Sequence, residues 1–144
     1  MQNYDPKLVS LTFVVPGIGV IDFQQYADGT MVEVEQTEDL FTDVVGSGGH
    51  VVRVRNPDER GRITARLMSE APENDLLSAA LQADRLLGLG VGTVMLKYLD
   101  GTTICTASEA WLTKPAKVEY GKDATQREWV LACAQLEMFV GGVL

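Results

Sequence analysis

Apolar and polar residues alternate in one short stretch of this chain after another, and that period of two constrains its fold more than any other feature. In Met31-Val32-Glu33-Val34-Glu35-Gln36 the valines fall on one face and the glutamates on the other, the pattern of a half-buried strand. Residues 50–55, HVVRVR, alternate in the same way, as do Val9, Leu11 and Phe13 within residues 8–15, and Ile63, Ala65 and Leu67. Pro16-Gly17 ends the first run, and residues 17–21 resume a short extended piece. Asp28-Gly29 and Asn56-Pro57-Asp58 read as turns.

The last third continues in β. Residues 93–99 and 102–113 form two strands joined through Asp100-Gly101, the strongest short hairpin signal in the chain. After a polar connection, residues 126–140 read as one long extended segment. Its even positions from Val130 to Val140 are all apolar, and its odd positions include Trp129, Leu131, Cys133 and Phe139. Both faces of this strand are therefore expected to be apolar. A small sheet with one helix can cover only part of that surface, so the surplus is expected to meet another chain.

One stretch has a helical period. Glu73, Asn74 and Asp75 place negative charge at its start, Leu76, Ala80, Ala83 and Leu87 fall at helical spacing with Leu77 and Leu81 beside them, and Gly88 and Gly90 end it. The spacing predicts a helix over residues 73–87. Residues 37–49, TEDLFTDVVGSGG, fit neither period and are expected to be a loop, yet Leu40, Phe41, Val44 and Val45 make it too apolar for an ordinary solvated one. Neither repeat nor linker interrupts the 144 residues, which are expected to form a single domain, mainly β with one α-helix.

Chemistry is harder to find. His50 is the only histidine, and neither cysteine nor any serine nucleophile pattern lies near it in sequence. Gly46-Ser47-Gly48-Gly49 lacks the Lys-Ser/Thr of a phosphate loop and precedes a strand instead of a helix. Glu33 and Glu35 share one strand and cannot flank a bond from opposite sides. Asp39/Asp43 and Asp58/Glu59 lack calcium-loop spacing. Cys105 and Cys133 have neither metal-site nor redox-pair spacing and read as small buried hydrophobes. No catalytic, cofactor-binding or metal site is expected. The formal net charge of −8 speaks against a protein built to grip nucleic acid. With no secretory leader and no apolar run near the roughly 20 residues that span a bilayer, the chain is expected to fold in a cytoplasm without a membrane partner. An assembly role is favoured, with a small-ligand-binding β-barrel as the alternative.

Several stretches taken in order resemble the tail tube proteins of contractile-tailed, myovirus-type bacteriophages. They are Asp39-Leu40-Phe41-Thr42-Asp43-Val44-Val45-Gly46 running into Gly48-Gly49, Ile63-Thr64-Ala65-Arg66-Leu67, Pro72-Glu73-Asn74-Asp75-Leu76-Leu77, and the final Trp129–Gly142 segment. The resemblance implies a β-sandwich or barrel of tail-tube type with a flanking helix and a long inter-subunit loop. It further implies hexameric rings of this chain stacked into a hollow tube, a contractile sheath outside, a baseplate and a tail terminator at the ends, and DNA passing through the lumen without specific binding. The protein would then belong to the virion, assembled in the host cytoplasm. The tube of type VI secretion systems shares this architecture and is a second reading of the same pattern. Leu40, Phe41, Val44 and Val45 match the loop that meets neighbouring subunits, against the alternative of a loop folded onto its own core. Glu33 and Glu35 become candidates for the lumen wall, against the alternative of an outer solvated face.

Overall fold

The computed structural model describes residues 3–142. A single 3₁₀ turn, Pro6–Leu8, leads into β1 (Val9–Val15) and β2 (Gly19–Phe23), followed by β3 (Val32–Gln36), β4 (Phe41–Val45), β5 (Val51–Arg55) and β6 (Gly61–Met68). Helix α1 (Glu73–Leu87) separates these from β7 (Gly92–Tyr98), β8 (Ile104–Leu112), β9 (Gln126–Cys133) and β10 (Glu137–Phe139). Eight strands make one antiparallel sheet in the order β2-β1-β7-β8-β9-β6-β3, with β10 on the flank of β8, while β4 and β5 pair only with each other. The architecture is mainly β with one helix, as the alternation required.

The sheet buries one face. Leu11, Phe13 and Val15 of β1, Ile63, Ala65 and Leu67 of β6, and Trp129, Leu131 and Cys133 of β9 all point into one core at every second position. Helix α1 covers part of it with Leu77 and Ala80. The buried helical stripe therefore runs through Glu73, Leu77 and Ala80, and Leu76 and Leu87 face outward, contrary to the spacing-based expectation. Gly88 closes the helix at φ 70°, with its N–H bonded to carbonyls in the last turn, a left-handed position that suits glycine. Trp129 donates its indole N–H to Asn74 Oδ1 at 2.9 Å, fixing the helix start to β9.

Two expectations need correction. The segment 37–49 is not all loop, because its middle, Phe41–Val45, is strand β4 and pairs with β5. The last segment is also not one uninterrupted strand with two apolar faces. Its pairing with β8 keeps a single register, Cys133 opposite Ala110 and Glu137 opposite Thr106, but residues 134–136 between them are irregular. On β8, Ser108 and Glu109 together oppose one residue of β7, a bulge that moves the inward positions from Cys105 and Ala107 to Ala110 and Leu112. The neighbouring segment switches with it. Trp129, Leu131 and Cys133 point inward before the irregularity, and Leu136 and Met138 after it. What reads as two apolar faces is one face whose parity changes beside a bulge. Phe139, 63% exposed, points away from the core, so a surplus exists at that end, smaller than the sequence suggested.

Candidate assembly interface

The β4–β5 hairpin stands apart from the sheet. Its register pairs Phe41 with Arg55, Asp43 with Arg53 and Val45 with Val51 on one face, and Thr42 with Val54 and Val44 with Val52 on the other. All ten strand residues are exposed. The turn explains why the chain reverses here. Gly46 N–H donates to the His50 carbonyl at 2.8 Å, Gly49 N–H donates to the Gly46 carbonyl at 3.0 Å, and Gly49 adopts φ 85°. That leaves Ser47, Gly48 and Gly49 as a three-residue loop ending in the left-handed conformation, which a glycine adopts without cost to a side chain. His50 lies exposed at this turn.

The base of the hairpin, unlike its arms, is held firmly. Asn56 N–H donates to the Leu40 carbonyl at 2.8 Å, and the Asn56 side-chain amide donates to the Asp39 carbonyl at 3.1 Å. Arg60 grips Asp58 through two bonds of 2.9 Å, which hold the Asp58 carboxyl below its usual range. Gln135 donates to Glu59 at 2.7 Å, and this bond is the main reason the Glu59 carboxyl is also lowered. Leu136 N–H donates to the Glu59 carbonyl at 2.9 Å. The irregular stretch beside the β8 bulge is thus the anchor for the hairpin root. A fixed base with bare arms presents the arms outward.

The four interface residues expected from sequence all lie on this feature. Leu40, Phe41, Val44 and Val45 are 39%, 49%, 56% and 64% exposed. Phe41 and Val45 share one face of β4, while Val44 lies on the other. Arg53 stacks over the Phe41 ring at 4.5 Å. The sequence reading gave the second arm, within residues 50–55, as an alternating strand and named none of it as a contact, yet Val51, Val52 and Val54 are as exposed as the first arm. The glycine cluster between an apolar stretch and an alternating one was the available signal. Glu33 and Glu35 lie on the outward face of β3, at the sheet edge, opposite Thr64 and Arg62. Arg66 bridges Glu33 and Glu128, at 3.3 Å to each. The lattice of acidic groups there is interleaved with arginines. Cys105 and Cys133 are buried free thiols, and burial pushes Cys133 up to about 11.

Among the described residues no His, Cys, Asp or Glu group is placed to hold a metal ion, and no helix is long and apolar enough to cross a membrane. The inner side of the sheet, which a ligand-binding barrel would need as a chamber, is filled by side chains such as Phe13, Ile63, Leu67, Leu77 and Leu131.

A family model for the Bacteriophage PhiTE tail tube protein matches residues 1–141. The chain belongs to that family. It is a phage structural protein, a subunit of the tail tube. Structural protein ORF10 of Pseudomonas phage KPP10 is similar to this tail tube protein, 24% identical over 144 residues, covering 98% of this chain and 83% of that one. A chain of the sheath–tube complex of an extracellular contractile injection system, PVC, in its extended state superposes with a TM-score of 0.63 at 12% identity, over 96% of this chain and 92% of that chain. A chain from the sheath/tube terminator structure of that system gives a TM-score of 0.63 at 12% identity, over 97% and 99%. At such identities the structural likeness carries the fold: tail tube architecture with a flanking helix.

Proposed function

We propose that this tail tube protein assembles with copies of itself into hexameric rings that stack into a hollow conduit for DNA. The hairpin carries the reading. A two-stranded ribbon with valines on both faces and no third strand is marginal in water by itself. A neighbouring subunit would cover it. Leu40, Phe41, Val44 and Val45 are the proposed contacts. The proposed outer and end partners are a contractile sheath, a baseplate and a tail terminator. The sheath–tube and terminator structures above, whose chains share this fold, support that reading.

Glu33 and Glu35 are proposed for the lumen wall, where negative charge would keep DNA phosphates from sticking. Their exposure on an edge strand supports this, and the pairing of Arg66 with both Glu33 and Glu128 supports it further, since a neutralised arginine does not hold DNA. The experiment is negative-stain imaging with sizing of the purified protein over a wide concentration range. Rings or tubes are expected, and Phe41→Asp should abolish them while leaving the monomer folded, because the contact would bury an unpaired charge. A monomer at every concentration would overturn the reading.

A further inference from the structure

Leu136 is buried where three parts of the fold meet. Its N–H donates to the Glu59 carbonyl at 2.9 Å, on the leg that leaves the β4–β5 hairpin. Its carbonyl accepts from the Gln36 side-chain amide at 2.7 Å, on the leg that enters it. Its side chain fills the space beside Gly61, where a Cβ on residue 61 would collide with the Leu136 Cβ and Cδ2. One residue therefore holds both legs with its backbone and wedges its side chain against the first residue of β6. Among the described residues, the hydrogen bonds that residues 37–60 make outside themselves run only from Gln135 and Leu136 to Glu59. The remaining bonds of the root, such as Thr37 N–H to the Arg60 carbonyl at 2.9 Å, tie the two legs to each other. They keep the hairpin together without fixing where it points.

The residue after Leu136 begins β10. The Leu136 carbonyl that holds Gln36 shares one rigid peptide plane with the Glu137 N–H, so the two move together. β10 is three residues long and pairs with β8 alone, Glu137 with Thr106, Met138 with Cys105 and Phe139 with Ile104. Its far end is pinned where Gly141 N–H donates to Thr103 Oγ1 at 2.9 Å. A strand this short, paired on one flank and with Glu137 and Phe139 exposed, belongs to the part of a fold that opens most readily. When β10 lifts from β8, it draws the Leu136 peptide groups off both legs at once.

We infer that Leu136 is a latch that couples β10 to the direction of the β4–β5 hairpin. Seated, it fixes the hairpin against the sheet. Lifted with β10, it frees the hairpin to swing as an intact ribbon about residues 37 and 60, a hinge at the ends of two elements. The coupling is a property of a single chain.

Spin labels on Ser47→Cys at the hairpin turn and Lys97→Cys on β7 read the hairpin's direction, and a pair on Arg85→Cys and Lys97→Cys reads the body of the fold. All three positions are exposed, and the native thiols are buried. Labelled chain is diluted into unlabelled chain of the same variant, so that each distance lies within one chain. Gly61→Ala displaces Leu136 directly. Thr103→Val combined with Gly141→Ala acts from the far end of β10, about 16 Å along an extended strand from Leu136. It removes the Thr103 acceptor and sets a methyl group against Thr102. Both should widen the hairpin distance distribution about twofold and leave the body distance unchanged. An unchanged hairpin distance in Gly61→Ala would show that Leu136 does not hold the hairpin, and in the far-end variant that β10 does not act on it. A body distance that widens as much as the hairpin's would mean that the whole sheet loosens, and would also overturn the coupling. Gln36→Leu removes one bond and adds no bulk; it should widen the hairpin distance too, and no change there would count against the latch.

Discussion

The eight-stranded sheet and the β4–β5 hairpin are made from the same kind of sequence and meet opposite fates. Val32 and Val34 of β3 and Val52 and Val54 of β5 alternate with charged residues in the same way, yet the first pair packs against the core and the second stands in water. Alternation therefore encodes a strand and a preferred face, and it is silent on which chain covers that face. In the sheet, the cover is this chain's own helix and opposing strands. On the hairpin, the chain supplies none, which is what a subunit needs if its strands are to be completed by a neighbour.

The comparison breaks most sharply if the core proves dispensable. Phe13 of β1, with no exposed surface, belongs to the core cluster and pairs with Val94 of β7. Phe13→Ala should cost the monomer about 3–5 kcal/mol in denaturant unfolding. A loss below about 1 kcal/mol would show that the sheet is as loosely covered as the hairpin.

Next in size is Gly92→Ala. A methyl group there would run into the backbone carbonyl of Val14 and the ring of Phe13. A backbone oxygen within a paired strand cannot retreat, so overpacking should cost about 1–3 kcal/mol. The hairpin glycine at 48 has nothing near its absent side chain, so Gly48→Ala makes the contrasting control.

Smaller again is a pH effect confined to the sheet. Burial raises Cys105, and burial with the nearby Cys105 charge pushes Cys133 to about 11, from an ordinary value of 9.0. Between pH 9 and 11 the unfolded chain would release protons that the folded chain keeps. The stabilisation is thus complete below about pH 9 and declines as pH rises toward 11. Urea midpoints should fall between pH 8 and 10.5, and fall less in Cys133→Ala. An equal decline in both proteins would place the Cys133 thiol in water.

Much of this fold was legible in sequence. The helix limits, residues 73–87, came from acidic residues at the start and glycine at the end, both local signals. The turn glycines at 46, 48 and 49 were equally local, but the expected reading stopped at a loop because Leu40-Phe41 and Val44-Val45 come as adjacent apolar pairs, which hide a period of two. They do so because both faces of the hairpin carry apolar residues and neither is covered by the chain's own core. The parity switch at residues 134–136 was not legible, since it depends on the Ser108–Glu109 bulge of the neighbouring strand. A single strand's pattern cannot reveal an extra residue in its partner. Leu40, Phe41, Val44 and Val45 stood out in sequence as apolar residues in a stretch without a period, and the structure leaves all four exposed. The outward turn of Leu76 and Leu87 was not legible, because helical spacing assigned both to the core.

The smallest expected effect sharpens the comparison furthest. Val52→Ser removes an aliphatic side chain from a strand, as Phe13→Ala does, but from a face with nothing packed on it. It should change monomer stability by less than about 0.5 kcal/mol, the usual range for exposed substitutions. Its effect should appear only where copies meet, as weaker assembly at unchanged unfolding midpoint. A monomer destabilised by more than about 1 kcal/mol would mean that Val52 is covered within its own chain. The hairpin would then be part of the same packed body as the sheet, and the distinction between them would vanish.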